Sequence, residues 1–165
     1  MDTRLLKRAF GACLLFLALV ATVPAATRPE NDVTYTVQFL PDSGQAQVTI
    51  ALRPDTGQVS QMRLAMPADR YTQLTGDGTI ARKGDTVTWS PLAGKPSKLR
   101  YRYRIDNKRP GGGYDARITD DWVIVRGDDL VPSARVRATK GSDSRVRLRF
   151  AMPKGWTNVD TAFPR

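Results

Sequence analysis

Residues 33–52 read VTYTVQFLPDSGQAQVTIAL. Val33, Tyr35, Val37 and Phe39 alternate with Thr34, Thr36 and Gln38. After Pro41-Asp42-Ser43-Gly44 the alternation resumes, with Ala46, Val48, Ile50 and Leu52 set against Gln45, Gln47 and Thr49. Successive side chains of an extended strand point to opposite faces, so a period of two turns one apolar row to a core and one polar row to water. The intervening residues are turn formers: proline presets its own φ, aspartate and serine bond to nearby backbone, and glycine accepts a left-handed conformation. The stretch therefore predicts a β-hairpin with one buried face.

The same grammar extends outward. Pro54-Asp55-Thr56-Gly57 turns the chain into a strand carrying Met62, Leu64 and Met66, which Pro67 ends because proline cannot donate to a ladder. Shorter strands are predicted over 71–74, 79–82 and 86–89, separated by Gly76-Asp77-Gly78 and Lys83-Gly84-Asp85. Residues 98–105 form the cleanest strand: Leu99, Tyr101, Tyr103 and Ile105 face one way, and Lys98, Arg100, Arg102 and Arg104 the other. A loop with three consecutive glycines occupies 106–113. Trp122 to Val125 is apolar without alternation, the pattern of a central strand buried on both faces. A final hairpin is predicted between 133–139 and 145–152 across Gly141-Ser142-Asp143-Ser144. Beyond the first 25 residues no segment carries a helical apolar stripe. About ten short strands with regular turns predict an all-β fold, an antiparallel β-sandwich, occupying residues 33–158 as one domain.

A different physics governs the first residues. Arg4, Lys7 and Arg8 precede an apolar run from Ala9 to Val23, and Val23-Pro24-Ala25 supplies small residues for signal peptidase. Positive flank, short apolar core and small-residue exit predict a cleaved signal peptide over 1–25, forming a helix before the sandwich. The run is shorter than the roughly 20 residues a spanning helix wants, so no membrane span is expected after cleavage. The mature chain would begin at Ala26, with an entry segment at 26–32 and a tail at 159–165, and would be periplasmic or secreted. Cys13, the only cysteine, would leave with the signal, so no disulfide is expected. The 26 Lys+Arg and 16 Asp+Glu of the whole chain would fall to 23 and 15, net +8, since Arg4, Lys7, Arg8 and Asp2 are removed.

The chain contains no histidine. Catalytic zinc sites and Ser-His-Asp or Cys-His arrangements almost always use one, so no catalytic residue, metal ligand or cofactor site is expected. Asp120-Asp121 and Asp128-Asp129 match no calcium loop, and turn residues or partners for arginines are the simpler reading. Pro110-Gly111-Gly112-Gly113 is not followed by Lys-Ser/Thr opening a helix, so it is not a phosphate cradle. Trp89, Trp122 and Trp156 could line a groove, although packing between sheets is the simpler role.

Three basic rows stand out: Arg100, Arg102 and Arg104; Arg135 and Arg137; and Arg145, Arg147 and Arg149. Brought together, they would make a docking or anion-binding surface. A solvated sheet face that discourages edge aggregation is the plain alternative. Nucleic acid is not expected as a partner, because Tyr101 and Tyr103 fall on the apolar face rather than among the cations.

Several stretches resemble the N-terminal β-domain of the glycyl aminopeptidase family, exported zinc metallopeptidases that often carry a PDZ domain. They are VTYTVQFL (33–40), MRLAMPADRY (62–71), DTVTW (85–89), LRYRYRID (99–106), YDARITDDWVIVRGDDLVP (114–132) and RLRFAMPKGW (147–156). The likeness spans 33–158 and rests on an order of strands, not on a catalytic signature. Where the family has a longer Trp-x-Pro-Gly-Ser-Tyr type segment, only Pro67-Ala68-Asp69-Arg70-Tyr71 stands here. The resemblance implies that zinc would be held by a His-Glu-x-x-His helix and a later glutamate in a following catalytic domain, none of which this chain contains. It implies a non-catalytic accessory domain whose partner is that catalytic domain, in cis or in trans. The alternative is a free-standing envelope module for an anionic glycan or lipid headgroup.

Overall fold

The computed structural model describes residues 30–161. The segment read as a signal peptide, the start of the entry segment and the last four residues lie outside them. Strands run β1 Glu30–Leu40, β2 Gln45–Pro54, β3 Val59–Ala65, β4 Tyr71–Gly76, β5 Thr79–Lys83, β6 Thr86–Ser90, β7 Ser97–Arg104, β8 Asn107–Lys108, β9 Tyr114–Ile118, β10 Val123–Ile124, β11 Ala134–Ala138 and β12 Asp143–Ala151. One helical turn, α1, covers Gly127–Leu130.

The opening hairpin forms as its alternation requires. β1 and β2 pair antiparallel from Asn31↔Pro54 to Leu40↔Gln45. A single 3₁₀ turn at Pro41–Ser43 joins them, closed by Gly44 at φ +66°, whose N–H bonds the Pro41 carbonyl at 3.0 Å. β1 begins at Glu30 rather than Val33, so the strand reaches into the entry segment. Two sheets result, a five-stranded one ordered β12-β1-β2-β7-β4 and a four-stranded one ordered β11-β3-β6-β5. Their inner rows meet in one core. Val37, Val48, Ile50, Leu99 and Tyr101 come from the first sheet, and Leu64, Val87 and Trp89 from the second. The all-β sandwich expectation is met.

The chain passes between the sheets at Gly76-Asp77-Gly78, where β4 hands over to β5. Asp77 organises this corner. Its N–H bonds the Lys98 carbonyl at 2.8 Å, its carboxylate accepts from the Lys98 N–H at 2.9 Å, and its carbonyl accepts from the Trp89 indole at 2.8 Å.

Two sequence expectations need correction. The segments 133–139 and 145–152 do not form a hairpin. β11 pairs antiparallel with β3, and β12 pairs parallel with β1, from Glu30↔Asp143 to Gln38↔Ala151. A short polar turn serves a crossing between sheets as well as a hairpin, so local spacing cannot choose between them. Here Gly141, at φ +74°, carries the crossing. Ion pairs favour the chosen partner, as Arg145 meets Glu30 at 2.9 Å and Arg147 meets Asp32 at 3.0 Å. Nor is Trp122–Val125 a central strand. Only Val123–Ile124 is extended, pairing with β9 in a small sheet ordered β10-β9-β8, and Ile124 is 67% exposed. Ala116 and Ile118 of β9 join the core, while Ile124 on β10 stays open.

Asn31 opens the inner row of β1 and is buried, yet neither its amide oxygen nor its nitrogen has a hydrogen-bond partner. An unsatisfied buried polar group costs about 1–3 kcal/mol. Asn31→Val is therefore expected to stabilise the fold by about 1 kcal/mol or more, read as a raised midpoint in thermal unfolding. An unchanged or lower midpoint would show that the amide contributes to folding.

Candidate functional site

Five strands lie over four, and β12 is the edge strand of the larger sheet. Its inner row is Val146, Leu148 and Phe150, in register with Val33, Tyr35 and Val37 of the core. The smaller sheet does not cover this row, and Val146 is 59% exposed. Beside it opens a groove of about 740 Å³, with Phe39, Leu148 and Phe150 as floor, Trp122–Val125, Trp156 and Val159 as rim, and Asp121, Asp128 and Asp160 also in its lining.

The floor is aromatic. Phe39 stacks with Phe150 at 6.0 Å between centroids and with Trp156 at 5.7 Å. The Trp156 indole N–H donates to the Asp120 carbonyl at 2.6 Å, tying the C-terminal rim to the loop before β10. In that loop Thr119 Oγ1 accepts from the Trp122 backbone N–H at 3.2 Å, which fixes the backbone of Trp122 beside the groove.

The opposite wall is pinned from the core. Tyr71 donates its hydroxyl to the Asp129 carbonyl at 2.7 Å, and Tyr101 to the Leu130 carbonyl at 2.7 Å. Both carbonyls belong to α1, so two core tyrosines fix the turn that borders the groove. Arg126 grips Asp128 bidentately, at 3.0 Å and 2.7 Å, and this hydrogen bond holds the Asp128 carboxyl below its ordinary range. Such an exposed pair orders the loop more than it stabilises the fold.

Burial pushes the phenols of Tyr35, Tyr71, Tyr101 and Tyr103 above their ordinary value of 10.0, and Asp129 adds to the shift at Tyr71 and Tyr103. A group whose folded pKa is raised contributes stability in full below its unfolded pKa and loses it as pH rises through the folded value. These four of the chain's five tyrosines are thus expected to ionise only as the fold opens, above pH ~10. Apart from the exposed Tyr114, phenolate absorbance and far-ultraviolet circular dichroism should change together in an alkaline titration. More than one tyrosine's worth of phenolate appearing well before the loss of strand signal would contradict the burial.

The basic rows separate. Arg100, Arg102 and Arg104 project from the outer face of β7, and Arg145, Arg147 and Arg149 from the same face of β12, with β1 and β2 between them. Arg135 and Arg137 lie on β11 in the other sheet, so the eight arginines do not form one surface. Asp128 takes Arg126, which matches its reading as an arginine partner, and Asp115 takes Arg109. The Pro110–Gly113 segment is a turn, closed by a bond from the Arg109 N–H to the Gly113 carbonyl at 2.7 Å. Trp89 packs in the core, whereas Trp122 and Trp156 line the groove. Among the described residues no three His, Cys, Asp or Glu side chains come together as a metal-binding group, and no helix is long and apolar enough to cross a membrane.

The groove residues Phe39, Leu148, Phe150 and Val159 were not candidates on sequence grounds. The available signal was Trp122–Val125, whose lack of alternation has the same signature in a buried strand and in a half-covered rim. No family model matches the chain, and no curated protein is a significant match.

Proposed function

We propose that this chain is an exported, non-catalytic β-sandwich domain that docks on the catalytic domain of a glycyl-aminopeptidase-like zinc metallopeptidase and forms one wall of its substrate cleft. The observation that carries the docking role is the groove beside β12. Apolar side chains left open next to an aromatic floor mark protein-binding surfaces, and aromatic anchors in pockets dominate such interfaces. The edge position adds to this, since β12 has unpaired backbone groups along its free side. The partner's identity rests on the family resemblance, and export on the character of residues 1–25. The chain itself supplies shape and apolar area, while the zinc chemistry belongs to the partner.

The test uses the chain from Ala26, which retains every described element, and a His-Glu-x-x-His domain encoded in the same genome, the lack of which would itself refute the reading. A one-to-one complex is expected in sedimentation velocity. Ile124→Asp, which would bury a further carboxylate within the contact, should weaken it about a hundredfold or more. Lack of a complex with the unaltered chain, or a complex indifferent to Ile124→Asp, would refute the reading.

A further inference from the structure

Cross-strand register sorts the arginines of the larger sheet into two kinds. On β12, Arg145 and Arg147 have carboxylate partners on β1, at 2.9 Å and 3.0 Å. On β7, Arg104 has the Asp69 carboxylate at 3.7 Å, but the two arginines before it have neutral neighbours. Arg100 lies beside Thr49 of β2 and Thr75 of β4, and Arg102 beside Gln47 and Thr72. Lys98, one position along the same row, faces Ala51 of β2 and has the Asp77 carboxylate at its own N–H, 2.9 Å away. Same-face residues on a strand repeat every ~6.8 Å, so three cations stand in line, with an acid only at the Lys98 end and none beside Arg100 or Arg102.

This row lacks the usual structural explanations. Edge strands carry lysine and arginine to deter pairing with another chain, but β7 is an interior strand, flanked by β2 and β4. Like charges side by side on a sheet face are destabilising, and a glutamate at position 47 or 49 would relieve them. The fold holds threonine and glutamine there instead.

From this placement we infer that the outer face of β7, β2 and β1 is a binding site for an acidic polysaccharide. Lys98, Arg100 and Arg102 would take its carboxylate or sulfate groups through charge-assisted hydrogen bonds, which guanidinium forks suit. The rows Thr36–Thr49 and Gln38–Gln47 lie in register beside Arg100 and Arg102. Their hydroxyls and amides can both donate to and accept from sugar hydroxyls. Arg149 closes the row Arg149–Thr36–Thr49–Arg100 on the far side, three strand spacings or ~14 Å from Arg100. The outward positions of these rows carry no aromatic or large apolar side chain that could enter a bilayer or stack on a nucleobase. That composition favours a hydroxylated polyanion over a membrane surface. The site lies on the face of the sheet opposite the groove and is independent of the docking proposed above.

The experiment measures retention of the chain from Ala26 on immobilised heparin and on polygalacturonate, with neutral dextran and phosphatidylglycerol vesicles in parallel. Binding to at least one acidic polysaccharide at low ionic strength, falling steeply with added salt, is expected. Arg100→Gln/Arg102→Gln should weaken it about tenfold or more, and Arg145→Gln/Arg147→Gln, which removes the same charge from paired positions, much less. The first variant should also melt no lower than the parent, because like-charge repulsion is relieved; this separates lost binding from lost folding. Absence of retention at low salt, equal losses in the two variants, or binding to vesicles without binding to polysaccharide would each overturn the assignment.

Discussion

Trp89→Ala is expected to remove about 3–5 kcal/mol of folding free energy. Domains of this kind hold only about 5–15 kcal/mol in total. Trp89 is fully buried on β6, paired with Met62 of β3 and Ile80 of β5, so the missing ring would leave a cavity at the centre of the smaller sheet. It would also strip the Asp77 carbonyl of its indole donor, at the corner where the chain changes sheets. The two losses separate experimentally. Trp89→Phe keeps most of the apolar area and forfeits the hydrogen bond, and should cost about 1–2 kcal/mol. Urea unfolding of both variants measures the difference. Equal costs would mean that the corner bond, not the packing, governs this position.

Gly78→Ala should be nearly as severe, at about 3 kcal/mol or more, although it adds a single methyl group. Gly78 sits at φ +82°, where an L-residue is strained. A Cβ there would also stand 2.2 Å from the Ser90 carbonyl oxygen, which belongs to backbone and cannot swing aside. Gly84 provides the control. It too has a positive φ, +55°, but a Cβ there meets nothing within 4 Å, so Gly84→Ala should cost only about 1 kcal/mol. A similar melting point for the two alanine variants would show that the corner opens more readily than its bonding implies.

Local pattern and non-local pairing separate cleanly in this fold. The hairpin of 33–52 was legible because alternation, turn chemistry and partner all lie within twenty residues. β7 was legible for the same reason: Leu99, Tyr101 and Tyr103 are buried and their cationic neighbours face outward. The segments 133–152 failed on pairing, not on type. Both became strands, but the choice between each other and the distant β3 and β1 depends on contacts about 70 to 113 residues away in sequence. The groove was hidden for a related reason. Its lining comes from Phe39, the 121–130 segment, the end of β12 and the 155–161 segment, and no single window contains it. The arginines were found by pattern, but their division into paired and unpaired rows needed the register.

The parallel addition of β12 to β1 links these features. It carries the larger sheet one strand beyond the smaller one and leaves an apolar row with no sheet to cover it. Trp156 and the loop at Trp122 partly fill the space, and Tyr71 and Tyr101 hold the far wall in place. The result is a preformed groove on a rigid frame, so a partner would bind without first ordering it.

Hydrogen–deuterium exchange of the chain, alone and with the His-Glu-x-x-His domain of the same genome, tests the docking reading most directly. Slower exchange confined to 121–130 and 146–161, with β7 unchanged, is the result expected of a partner seated in the groove. Protection elsewhere on the sandwich, or none at all, would contradict it.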